Sequence, residues 1–393
     1  MCITRVAPAG AALLLAAAAG AQTTYIVDGL NRPGTHFTDL PPAAAAAQHG
    51  DTIVMRSDGG FYQGITTNKA LTITGSSPGM AVILGSGAGF VIDGIPAGRD
   101  FLLQNVELFG NSGSPARVAV QACLGRVHLV RVHASDYTGQ PALDVALCSA
   151  VTVRDCEFQG FPGLMAQNAT LAVGGTRFYG QGGSSPALPP ATGAVLIDST
   201  AWFANVQMRG GNAWQTLAPA PGLDLIDASL SMTGVTNGAS ARSGLLGSFA
   251  APGFTAAVPA IRGQGSVLRL DPEVVLSATG GAPNIAGVTT TTTPIPAFTM
   301  YGVPLLNVSV DLGAATAHAT VVGLPTNPMP LPGIEGRLWV DPSQMLVLGG
   351  VLGGYSGFYE YLLPPGLTLA VQLVSLQPTS IELSPPAIVN SRP

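Results

Sequence analysis

The chain has 393 residues, 47% of them apolar and only 9% charged, with a formal net charge of −5. A total of 16 Lys plus Arg leaves no basic field for nucleic acid and no polybasic membrane anchor. Ordered apolar alternation excludes a disordered chain, and 51 Gly with 32 Pro favour tight turns over long helices.

Residues 1–21 read as a secretory signal peptide. Arg5 supplies the positive start, Ala11–Ala19 the apolar centre and Ala19-Gly20-Ala21 a small-x-small cleavage site, so cleavage is expected after Ala21. Cys2 lies too far upstream of that site to carry a lipid. No later run is long and apolar enough to span a bilayer, and the protein is expected to be secreted or at the cell surface. Residues 22–83 have the texture of a cap. Pro41–Gln48 is predicted as a short Ala-rich helix, with Pro where a missing N–H costs nothing. Gly50-Asp51 ends it, and Thr52–Met55 is a predicted strand.

A ten-residue phrase then recurs: apolar, any, apolar, two of any, apolar, any, apolar, any, usually Gly. Copies start at 101, 127, 151, 171 and 201, with a decayed copy at 230. The phrase persists while the spacing varies, as in a solenoid with fixed strands and variable loops. Within one copy, Phe101 and Leu103 share a face, Gln104-Asn105 form a corner, and alternation restarts at Val106 and Leu108. The corner column reads Asn105, Arg131, Asp155, Gly175, Asn205 and Gly234; Asn, Asp and Gly tolerate the left-handed backbone a sharp corner needs. Arg131 is the exception, and an Arg131–Asp155 ion pair is expected there. The predicted fold is all-β: a right-handed parallel β-helix over 22–281, with Leu103, Leu129, Val153 and Val173 in one interior pile. A β-sandwich does not keep one corner phrase in register through six copies, and the Leu/Asn consensus of a leucine-rich repeat is absent.

Beyond the coils, 282–300 is a Thr/Pro stretch that reads as an extended linker. Residues 301–393 give alternating segments split by Gly and Pro, predicted as a small antiparallel β-sandwich. Its place resembles the appended β-domains of bacterial surface and secreted proteins.

The cap segments Tyr25–Gly29, Gly34–Leu40, Gly50–Val54 and Leu71–Gly75 resemble the opening of secreted proteins of the pectin-lyase-like superfamily. The resemblance covers about residues 24–281 and implies the right-handed parallel β-helix. That fold hosts lyases, hydrolases, esterases, adhesins and proteins without chemistry. The residues of its enzymatic subfamilies do not carry over. There is no pectinesterase-like Gln/Asp constellation, no lyase-type Lys or Arg following paired calcium carboxylates, and no polygalacturonase-like NTD or DD signature.

Stacking the phrase gives each column a physical meaning, because neighbours lie about 4.8 Å apart. Cys123 and Cys148 sit just before successive copies, so a Cys123–Cys148 disulfide is expected in an oxidising compartment; Cys156 fills an inward apolar slot. One outward column reads Glu107, His133, Glu157, Arg177, Gln207 and Thr236. As a ladder of opposite charges it is structural. As a groove, it would set Glu107 and Glu157 about 9–10 Å apart, near the upper limit for an inverting carboxylate pair, with His133 between them. Trp202, Trp214, Tyr179, Phe161 and Gln207 are candidate sugar contacts. The histidines and acidic residues show no metal-ligand or calcium-repeat spacing, so no metal or cofactor is expected. The expectation is an exported, monomeric binding or structural protein whose partner is a polysaccharide or cell-surface glycan. The alternative is a carbohydrate-active enzyme, a polysaccharide lyase or glycoside hydrolase, using Glu107, His133, Glu157 and Arg177.

Overall fold

The computed structural model describes residues 22–85, 89–110, 117–183, 188–213, 216–234, 240–242, 256–293, 295, 297–301, 305–311, 317–332, 334–335, 337–352, 358–362, 368–376, 381–384 and 387–390. Residues 1–21, Trp214 and Thr236 lie outside them.

The chain winds into a parallel β-solenoid with three stacked sheets, each strand pairing with its equivalent one coil away. In the first sheet Leu103 pairs with Leu129, Leu129 with Val153 and Val153 with Val173. All four are at most 2% exposed, so the interior pile expected from the phrase is formed. The second sheet begins after the corner, and there Phe158 stacks on Phe178 at 5.8 Å between ring centroids. The third is built from short strands such as Val118–Gln121, Leu143–Ala146 and Leu164–Gln167.

Two columns of left-handed residues bend the coils. The first is the expected one: Asn105, Asp155, Gly175 and Asn205 lie at φ 53–59°, and Arg131 adopts the same turn at φ 50°. The second, after the third sheet, carries Gly94, Ala122, Leu147, Asn168, Asp198, Asp227 and Gly265 at φ 46–69°. Its backbone N–H groups form a ladder between coils: Ala122 to Ala146 O at 2.9 Å, Leu147 to Gln167 O and Asn168 to Ile197 O at 3.0 Å. Side chains one residue further on repeat the theme. Ser199 Oγ donates to Ile197 O at 2.7 Å and accepts from Ala169 N at 3.1 Å. These contacts satisfy buried backbone groups that a corner would otherwise orphan.

The amino-terminal end is closed. A helix over Leu40–Ala46 starts on the Asp39 N-cap, has Pro in its first turn, and buries Leu40, Ala43 and Ala44 over the first coil. Lys69, the chain's one lysine, caps its far end, donating to the carbonyls of Ala44, Ala45 and Ala47 at 2.9, 2.8 and 2.7 Å. The helix stops short of Gln48 because the backbone turns extended at Ala47, with ψ 152°. The outer edge of strand Thr24–Val27 is covered by His36, whose N–H donates to Ile26 O and whose Nδ1 accepts from Ile26 N.

At the other end the expected linker is corrected. Ile285–Thr292 is a strand paired parallel to Ile261–Leu270, so the solenoid runs past residue 281. Thr is β-branched and favours a pleated strand; its clustering with Pro and Gly suggests a linker only by composition. The remaining chain forms small antiparallel sheets, including Ala317–Gly323 against Leu346–Leu352 and Thr368–Leu376. Gln372 lies in that last strand. It is fully buried, donates to Arg337 O and Ser384 O at 2.7 Å, and accepts from Trp339 N at 3.0 Å.

Candidate functional site: the two outward faces of the solenoid

The corner at Asn105 and its equivalents turns each phrase onto the second sheet, which fixes every second side chain outward. Glu107 pairs with His133, His133 with Glu157, Glu157 with Arg177 and Arg177 with Gln207, so the expected stripe is one continuous row. The next partner, after Gln207, is Ser240. Arg177 Nη1 lies 3.4 Å from Glu157 Oε2, the two side chains being 54% and 41% exposed. An exposed pair of that kind contributes less than about 1 kcal/mol.

A second outward row runs beside it, two residues further along each strand: Phe109, Ser135, Gln159, Tyr179 and Arg209. Phe109 is exposed and Tyr179 half-buried. Arg209 is oriented by a hydrogen bond to Asn212 Oδ1 at 3.0 Å. Of this row the sequence reading singles out only Tyr179. Gln159 and Arg209 are legible by the same column logic applied to the phrase's ninth position.

Trp202 requires a correction. It points outward from the first sheet as the pattern demands, but it is only 9% exposed because Trp339 of the carboxyl-terminal region packs edge-on against it, with ring centroids 6.2 Å apart at 88°. Trp339 and Trp202 share one buried cluster with Ala150 and Ala172, so Trp202 is an interdomain contact rather than an exposed stacking platform. The rest of its row, Leu102, His128, Thr152 and Ala172, is buried as well. Nothing in a repeat predicts what a later domain will cover.

That covered face holds a polar group. Arg126 pairs with Asp100 through Nε and, at 2.9 Å, through Nη2. His128, 1% exposed, meets Thr152 Oγ1 through Nδ1 at 2.7 Å, while Nε2 is 4.0 Å from Asp100 Oδ1. Burial pushes the imidazole down to about 4, with Asp100 opposing and Arg126 reinforcing, so His128 is neutral at ordinary pH.

The expected Cys123–Cys148 bridge is not formed; Cys123, Cys148 and Cys156 are buried free thiols. Each paired sulfur rests against the carbonyl two residues back, Gln121 O or Ala146 O, at 3.2 Å. Those carbonyl contacts satisfy the buried thiols without a bridge. The neighbouring Cys123 sulfur and burial raise the Cys148 thiol, and burial raises Cys156 to about 12. The carboxylate of Asp155, expected opposite Arg131, takes Arg154 at 3.2 Å.

A shallow depression of about 390 Å³ lies at the other end of the molecule, lined by Thr24, Ile26, Arg32, Val54, Arg56, Asp58 and Ser76. Arg32 and Arg56 both bind the buried Asp28, and the Arg32 guanidinium holds that carboxyl well below the usual range. Those charges are satisfied by one another and serve the cap. Among the described residues no three His, Cys, Asp or Glu side chains gather as a metal site. No protein-family model matches the chain, and no curated protein matches it.

Proposed function

We propose that the protein is exported and acts at the cell surface or in the extracellular matrix, as a rigid β-helix that binds polysaccharide along its open second-sheet face without transforming it. The cap segments and the coil phrase support its inclusion in the pectin-lyase-like superfamily, in a non-enzymatic or uncharacterised branch. The observation that carries the binding reading is the pair of straight outward rows, 107–133–157–177–207 and 109–135–159–179–209. They offer what an extended glycan needs: an aromatic ring at Tyr179, amides at Gln159 and Gln207, and guanidinium donors at Arg177 and Arg209. The pairing of Glu157 with Arg177 favours binding over hydrolysis, which requires two carboxyl groups in contrasting environments.

The test is a glycan array with the mature chain, run beside reducing-end and unsaturated-uronate assays. Retention of one polysaccharide class, weakened at least tenfold by Tyr179→Ala or Arg177→Gln with no product released, is the expected result. No retention of any glycan overturns the reading. Product that disappears in Glu157→Gln replaces it with a lyase or glycosidase.

A further inference from the structure

The carboxyl-terminal region is seated on the first sheet of the solenoid, and we infer that this seat is a pH-responsive latch that loosens when His128 takes up a proton beneath it. The geometry is that of a neutral imidazole enclosed between contacts. On one side Asn327 Nδ2 donates to Leu124 O at 3.2 Å. On the other, Trp339 packs on Trp202 in a buried cluster with Ala150 and Ala172, and strand Ala387–Asn390 runs beside Ala150–Arg154. His128 stands on the strand between them, outward-facing and 1% exposed. Nδ1 is engaged by Thr152, but Nε2 is buried without a hydrogen-bond partner. A second proton there would be a desolvated charge.

The charged groups around it only partly offset that cost. Asp100 is 4.0 Å away but is claimed by Arg126. Arg154, on the neighbouring strand, pairs with Asp155. From the carboxyl-terminal region come Arg337, on the strand that carries Trp339, and Asp341, whose carboxylate is held down first by Ser343 and also senses Arg126. Closing the seat therefore selects the neutral ring, and opening it restores water to both nitrogens.

The direction follows by linkage. In the seated form His128 titrates at about 4, against 6.5 for an ordinary imidazole. The undocked form thus binds the proton more tightly. Docking is at full strength above pH 6.5, weakens as the pH falls through that value and levels off below 4. Between pH 7 and pH 4 the docking equilibrium shifts toward the open form by roughly a hundredfold. Opening exposes Trp202 with the Asp100–Arg126–His128 group, a face distinct from the open rows of the second sheet.

The experiment follows hydroxyl-radical footprinting of Trp202 and Trp339 in the full mature chain from pH 7.5 to 4, with far-UV circular dichroism reporting the solenoid. Labelling of both tryptophans is expected to rise as the pH falls below 6.5 while the dichroism stays constant. His128→Asn, which keeps a side-chain partner for Thr152 but cannot titrate, is expected to flatten that rise. His318 is the other buried imidazole, lying within the strand Ala317–Gly323 with both ring nitrogens unpartnered; His318→Asn is expected to retain the rise. Unchanged wild-type labelling down to pH 4, or an undiminished rise in His128→Asn, overturns the latch. Should His128→Asn not fold, the wild-type imidazole is titrated by nuclear magnetic resonance, and a His128 ring titrating near 6.5 in the seated protein overturns it equally.

Discussion

The first and second sheets are cut from the same phrase, yet their outward rows meet opposite fates. Leu102, His128, Thr152, Ala172 and Trp202 are sealed, each at most 9% exposed. Glu107, His133, Glu157, Arg177 and Gln207 stay in contact with solvent. Strand geometry is the same on both sides of the corner, so the difference lies in the side chains. The five sealed positions carry no carboxylate and no guanidinium, and His128 Nδ1 meets Thr152; where the row continues through Ser231 to Arg269 it is no longer sealed. The open row carries three charged groups whose desolvation no neighbour would offset. Along this row, cover thus goes with the absence of formal charge, while the identity of the covering group is set elsewhere in the chain.

The largest test of that contrast is Trp202→Ala. Removing a buried indole costs about 3 kcal/mol, here taken from the seat rather than from the coil interior. Calorimetry is expected to show the carboxyl-terminal transition moving to lower temperature while the solenoid transition holds. Gln207→Ala, on the open row, is expected to stay within about 0.5 kcal/mol. Equal and small effects from the two substitutions would falsify the sealed-face description.

How much of this is legible in the sequence follows from which interactions are periodic. The interior pile, the stripe and the first corner column repeat with the coil, so position in the phrase names them: Leu103 over Leu129, Glu157 beside Arg177, Asn105 at the turn. The second corner column hides because its slot accepts Ala122 and Leu147 as well as Asn168 and Asp198, which erases the compositional signal. The fate of Trp202 depends on Trp339, far along the chain in another region, and no local pattern encodes such a contact. Ile285–Thr292 reads as linker because Thr beside Pro and Gly suggests one, although β-branched residues suit a strand equally well. The cysteines fall in adjacent coils as their spacing implies, but spacing alone does not distinguish a bridge from two hydrogen-bonded thiols.

The corner bordering the sealed face supplies a medium-sized test. Leu147 is held at φ 57° with its side chain 62% exposed, so it adopts a left-handed backbone and gains little from burial. Asn tolerates that conformation, and the following coil uses Asn168 at the same step. Leu147→Asn is expected to stabilise the solenoid by about 1 kcal/mol, read as a higher urea midpoint at constant slope. A loss of stability would mean that the Leu147 side chain has a partner in the seat beside Leu124.

The smallest expected effect falls on the open row and separates stability from function there. Glu157→Gln removes one half of the ion pair with Arg177 while keeping the shape of the side chain. Because both partners are substantially exposed, water replaces the lost interaction and the unfolding free energy is expected to change by less than about 0.5 kcal/mol. Raising salt to about 1 M, where the screening length falls to about 3 Å, is expected to shrink even that difference. A larger, salt-resistant loss would mean that Glu157 is desolvated and the second sheet is covered in its turn, which would remove the contrast between the two faces and with it the surface offered to a glycan.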